Sequence, residues 1–202
     1  MRSERIRAYT QRKFKITTHS KHHLPVAPNL VNQKFVASKA NRLWTSDITY
    51  IWTGEGWLYL AVILDVFSRR IVGWAVSHRL TRRLIINALQ RAVLKRQPRP
   101  GLIFHSDRGS QFASQEVREF LKNHKMVQSM SKKGDCYDNA ITETFFKTLK
   151  TELIYITEPF KTRQEAKQRL FNYIESFYNC IRKHSAIGFN SPVQYEKLAN
   201  VA

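Results

Sequence analysis

Apolar residues along the chain fall into short blocks whose spacing switches between strand and helix periods. Leu43 to Trp52 is rich in aromatic and β-branched residues, Thr53-Gly54-Glu55-Gly56 reads as a turn, and Trp57 to Phe67 is nearly all apolar. Ser68-Arg69-Arg70 then turns into Ile71 to Val76. This pattern predicts a three-strand antiparallel meander with a buried face. Leu84, Ile85, Ala88, Leu89, Ala92 and Val93 recur at helical spacing behind Thr81, which predicts a capped helix to about Arg96. Pro98, Pro100 and Gly101 end it. Leu102 to Ser106 reads as a short buried strand, Ser114 to about His124 as a helix with Val117, Phe120 and Leu121 inward, and Met126 to Met130 as a fifth strand. A meander followed by strand-helix-strand predicts an α/β fold with a mixed five-stranded sheet and helices on its faces. Further helices are expected from about Asn139 to Tyr155 and, behind the capping box Thr162 to Glu165, on to about Ile181. A last one opens at Ser191-Pro192. The expected divisions are 1–42, 43–158 and 159–202, the last a helical C-terminal extension.

Charge adds a partner to this picture. The 202 residues hold 34 Lys plus Arg against 15 Asp plus Glu, a net +19. Self-repulsion of that size implies a polyanionic partner. Residues 1–42 carry ten of the cations and one acid, Glu4, with no hydrophobic period. They read as a basic arm, with Arg12, Lys13 and Lys15 along nucleic acid, or else as a solvated leader. His19, His22 and His23 lack further ligands at zinc spacing. Cys136 and Cys180 form no disulfide framework. The longest apolar run is too short for a membrane span and no secretory signal opens the chain, so a soluble, intracellular protein is expected.

The acids carry the chemistry. Five aspartates occur, Asp47, Asp65, Asp107, Asp135 and Asp138. Asp47 lies in mid-strand, Asp107 where a strand leaves the sheet, and Glu143 one turn inside a helix, with 35 residues between it and Asp107. A carboxylate on a buried strand must be paired, metal-bound or neutralised. If the first and fourth strands are neighbours and the helix crosses their ends, three carboxylates converge. Such a cluster suits hard divalent ions such as Mg²⁺. Two of these about 3.5–4 Å apart clamp the attacking and leaving oxygens of an in-line displacement at phosphorus. Read singly, each acid is a helix cap or an ion-pair partner.

The chain resembles the DDE transposases of bacterial insertion sequences, second-open-reading-frame type, within the retroviral-integrase superfamily. The resemblance rests on Trp44-Thr45-Ser46-Asp47-Ile48-Thr49-Tyr50, Leu64-Asp65-Val66-Phe67-Ser68-Arg69-Arg70 and His105-Ser106-Asp107-Arg108-Gly109. It continues through Asp138-Asn139-Ala140 with Glu143 and Lys150, Tyr178-Asn179 to His184-Ser185-Ala186, and Ser191-Pro192. It implies a ribonuclease H-like integrase core over 43–158. It implies that Asp47, Asp107 and Glu143 bind two Mg²⁺ or Mn²⁺ ions and catalyse metal-dependent cleavage and strand transfer at the ends of an insertion sequence. Asp47 and Asp107 would share one ion and Glu143 would complete the second. Water or a 3′-hydroxyl would be the nucleophile, with no covalent enzyme intermediate. Lys150 occupies the family's basic position, and Lys147 lies on the same helix face; both, with Arg108, are candidate DNA contacts. The resemblance further implies double-stranded DNA as partner, a homo-oligomer on DNA, the upstream-frame protein of the same element, and a bacterial cytoplasm, at the nucleoid.

Other residues are read more plainly. Asp65 supports the site or pairs with Arg69 or Arg70, and Asp138 or Asn139 caps the helix of Glu143. Gly134 to Asp138 resembles the mobile active-site loop of integrases and reads equally as a surface loop. Phe145, Phe146, Trp57, Trp74, Phe171 and Phe177 are expected in the core. Trp44 and Trp52 could stack on bases, but core packing is the first expectation. His105 and His184 are expected to make structural hydrogen bonds. Relatives of this type carry a helix-turn-helix ahead of the basic arm, whereas this chain begins Met1-Arg2-Ser3. Two alternatives therefore stand beside the transposase: an N-terminally truncated DNA-binding remnant, and a ribonuclease H-like nuclease without strand transfer.

Overall fold

The meander forms as β1 (Leu43–Thr53), β2 (Gly56–Asp65) and β3 (Ile71–Ser77), antiparallel throughout. This is a computed structural model that describes residues 23–132 and 136–199. Then come α1 (Arg82–Arg96), β4 (Ile103–Ser106), α2 (Gln115–Asn123) and β5 (Val127–Met130). β4 pairs parallel to β1 and β5 parallel to β4, which gives the order β3-β2-β1-β4-β5. α3 (Ala140–Leu149), α4 (Arg163–Phe171) and α5 (Pro192–Ala199) complete the chain. The mixed five-stranded sheet is the one the hydrophobic blocks predict.

β2 is apolar on both faces because it is covered on both. Ala61 and Ile63 enter one core with Trp44, Leu84, Ile85, Leu89 and Val117, beneath α1 and α2. Leu58, Leu60, Val62 and Leu64 enter a second core with Phe145, Leu149, Phe160, Leu170 and Ile174. The C-terminal helices thus share the core of the sheet, and 159–199 do not stand apart as an appendage. Asn179 binds this region to the sheet: its amide accepts from the Ile71 N–H at 2.9 Å and donates to the Ile71 carbonyl at 3.0 Å.

Helix ends follow the capping logic in part. Ser114 accepts from the Val117 N–H and Thr162 from the Glu165 N–H, whereas Thr81 occupies its N-cap position without a side-chain bond. α3 and α4 are shorter than expected as regular helices. Each widens into a π turn, over Lys150–Ile154 and Asn172–Tyr178. Gly73 permits the close approach of α1: a Cβ there would lie 2.7 Å from the Ala92 Cβ and 2.9 Å from its nitrogen. Gly73→Ala is expected to cost about 1–3 kcal/mol by forcing helix and strand apart, read as a lower midpoint in denaturant.

Four aromatic expectations fail. Trp44, Trp74, Phe145 and Phe146 are buried, but Trp52, Trp57, Phe171 and Phe177 are exposed. Trp52 and Trp57 lie at the tip of the β1–β2 hairpin and Phe171 and Phe177 on the outer side of the α4 region, where no further layer among the described residues covers them. The described part of the basic arm is also not free. Val31 is buried with Leu43 and Val66, and the Leu30 N–H donates to the Ser129 hydroxyl at 2.9 Å. Scattered apolar anchors (Ala27, Val31, Phe35 and Ala37) and backbone bonds leave no periodic signal in the sequence. Arg12, Lys13, Lys15, His19 and His22 lie outside the described residues.

Candidate active site

The site is assembled by register. Ser46 pairs with Ser106 across the parallel β1–β4 ladder, so Asp47 and Asp107 follow on adjacent chains about 4.8 Å apart in the sheet direction. α3 crosses the α-carbon trace of β1 at its own first turn. The Thr142 hydroxyl donates to the Thr45 hydroxyl at 2.8 Å, and the Asn139 amide donates to the Ser46 carbonyl at 3.4 Å. Glu143 is the next residue after Thr142, and its carboxyl senses Asp107. The three acids singled out by the sequence therefore come together.

Their protonation reports the crowding. Burial, then the Asp107 charge and the Glu143 charge, push the Asp47 carboxyl well above the usual carboxylate range, against the Ile48 N–H bond and Lys150. Burial and Asp107 raise Glu143 in the same sense. The Asp47 carboxylate accepts from the Ile48 N–H at 2.7 Å, and that of Asp107 from the Gly109 N–H at 2.9 Å. These bonds aim the carboxylates without neutralising them. Among the described residues no group of three or more His, Cys, Asp or Glu side chains is arranged so as to hold a metal ion. The fit is chemical: three hard oxygen donors, with Asp107 raising the proton affinity of Asp47 and Glu143, and Glu143 that of Asp47, are a donor set for a divalent cation. Beside them the buried Asn139 Oδ1 has no hydrogen-bond partner.

The cations divide. Lys150 stands where α3 widens, half-buried; burial lowers its ammonium and Asp47 raises it. Lys147 is exposed one turn earlier, so the two do not share one environment. The Arg108 guanidinium donates to the Ser131 carbonyl beside the site.

A second set of residues holds this arrangement and carries little sequence signal. His105, two residues before Asp107, is buried between the Ser129 hydroxyl at 2.9 Å and the Asp138 carbonyl at 2.7 Å, the structural role expected of it. Burial lowers its imidazole against the pull of Asp138. The Asp138 carboxylate accepts from the Asn29 amide at 2.8 Å and the Lys132 N–H at 2.6 Å. Asp138 therefore does not cap α3, and Asn139 sits at the N-cap without a side-chain bond. Instead Asp138 ties the basic segment to the approach to α3. Gly134 and Asp135 of the expected loop lie outside the described residues. Asp65 pairs with neither Arg69 nor Arg70: it accepts from the Asn41 N–H at 2.7 Å and the Phe67 N–H at 3.0 Å, and faces Arg96 at 3.5 Å. His184 packs edge-on against Tyr178 at 4.7 Å, and burial with the Arg182 charge drives its imidazole down to about 4.

A five-stranded mixed sheet with carboxylates in the middle of β1, just past the end of β4 and on a crossing helix defines an integrase-type catalytic core. Residues 37–136 match the integrase core domain family, and residues 143–198 match a second integrase core domain family. The chain is 46% identical over 196 residues to the transposase InsF for insertion sequence IS3A of Escherichia coli K12, covering 97% of this chain and 68% of that one. It is 49% identical over 170 residues to the transposase for insertion sequence element IS904 of Lactococcus lactis, covering 84% and 67%. The HTLV-2 integrase catalytic core domain, solved in complex with magnesium, superposes with a TM-score of 0.60 at 18% identity over 80% of this chain and 99% of that one. The chain belongs to the insertion-sequence transposases that carry an integrase core domain. No helix among the described residues is long and apolar enough to cross a membrane.

Proposed function

We propose that the chain cleaves DNA at the ends of an insertion sequence and transfers the exposed 3′-hydroxyl to a second phosphodiester, through Asp47, Asp107 and Glu143. The observation that carries this is the juxtaposition of β1 and β4 beneath α3, with Asp107 raising the proton affinity of both Asp47 and Glu143. Asp47 and Asp107 would share one Mg²⁺ or Mn²⁺, and Glu143 would complete the site of a second. Bound there, divalent ions supply Lewis-acid stabilisation of the attacking and leaving oxygens.

The chain's own residues supply position and field. The Ile48 and Gly109 N–H groups aim the two aspartates, and the Thr45–Thr142 bond fixes the height of Glu143 above them. The Lys150 ammonium holds a substrate phosphate beside the carboxylates, with Lys147 and Arg108 as further contacts. The basic arm, with Arg12, Lys13 and Lys15, follows the duplex. Assembly is a homo-oligomer on DNA with the upstream-frame protein of the same element, at the bacterial nucleoid.

The test is a labelled duplex carrying the element's terminal repeat, incubated with the chain, the upstream-frame protein and Mg²⁺ or Mn²⁺. Nicked strands ending in 3′-hydroxyl and joined strands are expected. Nicking without joining would identify a hydrolytic nuclease instead. Salt-steep binding with neither product would identify a DNA-binding remnant.

A further inference from the structure

The tip of the β1–β2 hairpin carries large aromatic surface that the fold leaves uncovered. Trp52 is 55% exposed and Trp57 49%. The register sets Trp52 opposite Trp57 and Tyr50 opposite Tyr59, so the four rings form one block on a single face of the hairpin. They pack edge to face: Trp52 on Trp57 at 4.9 Å, Trp57 on Tyr50 at 6.2 Å and Tyr50 on Tyr59 at 5.3 Å. Tyr59 marks where the block meets the core beneath α1; the two indoles lie beyond it. Their side chains are thus held in fixed orientation by neighbouring rings while half of each surface faces water.

The surroundings are cationic. Tyr59 pairs with Ser77 at the end of β3, and His78, Arg79, Arg82 and Arg83 follow, all exposed. Glu116, the acid facing this group, is already paired with Arg82 at 2.5 Å. On the other side of the tip the Arg163 guanidinium donates to the Trp57 carbonyl at 3.3 Å and to the Glu55 carbonyl, and the carboxylate of Glu55, the one acid of the turn itself, accepts from the Arg163 N–H at 2.8 Å. Among the described residues β1 has no strand partner on its β4-side edge from Asp47 to Trp52, between its pairing with β4 up to Ser46 and the parallel bridge of Thr53 to Phe160. The five residues span about 16 Å. Asp47 belongs to the face beneath α3 and the rings to the opposite face, so a strand reaching both crosses that edge.

A polyanion that also presents bare π faces satisfies both features. A duplex hides its π faces in the stack; an unpaired strand offers them. We propose that the Trp52–Trp57 block is a stacking platform for unpaired bases of a DNA strand, separate from the carboxylate site. It rests on DNA being the substrate, not on the chain's cutting it.

The test is fluorescence anisotropy with a labelled single strand and the duplex of the same sequence, in EDTA so that cleavage plays no part. Trp52→Ala and the double variant with Trp57→Ala are expected to lose about tenfold or more in single-strand affinity, and Trp52→Phe less than about twofold. Duplex affinity and the salt slope stay unchanged, since no cation is removed. Unchanged single-strand affinity in the double variant, or an equal loss on duplex, would overturn the platform. So would a change of oligomeric state in sedimentation with single-strand affinity intact, which would assign the face to a second copy. Circular dichroism confirms that each variant is folded. A chain that fails to cleave but shows the tenfold loss retains the platform and loses only the proposed active site.

Discussion

Asp107→Asn is expected to reduce strand cleavage on the order of 10³-fold or more while the protein folds as before. The substitution keeps the oxygen that accepts from the Gly109 N–H, so the turn after β4 stays aimed. It removes the charge that, after burial, does most to raise Asp47 and Glu143. The sign of the stability change follows. A carboxyl whose folded pKa is raised above its unfolded value opposes folding once the pH exceeds the unfolded value. Relieving that penalty leaves the variant at neutral pH as stable as the parent or slightly more so. Thermal unfolding and a nicking assay on one preparation check both halves. Loss of activity together with loss of folding would instead mean that Asp107 is a structural residue.

The largest stability effect is expected at Glu196 on α5. Its carboxylate is buried and accepts from Arg70 at 2.6 Å, from Arg96 at 2.7 and 2.8 Å and from the Ser68 hydroxyl at 2.8 Å. Glu196→Ala strands two guanidinium groups in a half-buried site and is expected to cost about 3–5 kcal/mol, read from denaturant unfolding. Asp65 cannot compensate: it shares Arg96 at 3.5 Å and is itself buried. The pH dependence has a definite sign. Burial pushes the Glu196 carboxyl up, and Arg96, Arg70 and Ser68 more than reverse it, so it ends below its ordinary value. A depressed carboxyl contributes stability above its unfolded pKa of about 4.3 that is lost as pH falls through the folded pKa. Glu196→Gln should therefore flatten the acid limb of the stability profile, and an unchanged limb would place the network's contribution elsewhere.

These two sites differ in how far the sequence exposes them. Asp47, Asp107 and Glu143 stand out because acids are scarce in so basic a chain and because each lies at a place the strand and helix periods already locate. The meander and the strand-helix alternation were legible for the same reason: burial on alternate faces imposes period two, and packing on one side imposes the helical period. Glu196 gives no such sign. Which of the many arginines meets it depends on where α5 returns to the end of α1, a contact across 100 residues. The Asn29–Asp138–His105 links are similarly distant, and Asp138 before a helix looks like a cap until Lys132 and Asn29 claim it. The π turn at Lys150 escapes because no residue type demands it; it moves Lys150 toward Asp47 and out of the row shared with Lys147. Trp44 and Trp74 are buried as their hydrophobicity predicts, whereas for Trp52 and Trp57 hydrophobicity states a preference for burial and not whether a covering layer exists at the hairpin tip.

The central claim is that three acids from β1, the end of β4 and α3 jointly hold divalent ions against a DNA phosphate. Its most direct measurement is Mn²⁺ binding followed by electron paramagnetic resonance, with DNA present, for the parent chain and for Asp47→Asn, Asp107→Asn and Glu143→Gln. Saturable binding by the parent, weakened in each single variant with the fold intact, is the predicted result. Binding that is undiminished in all three would contradict it.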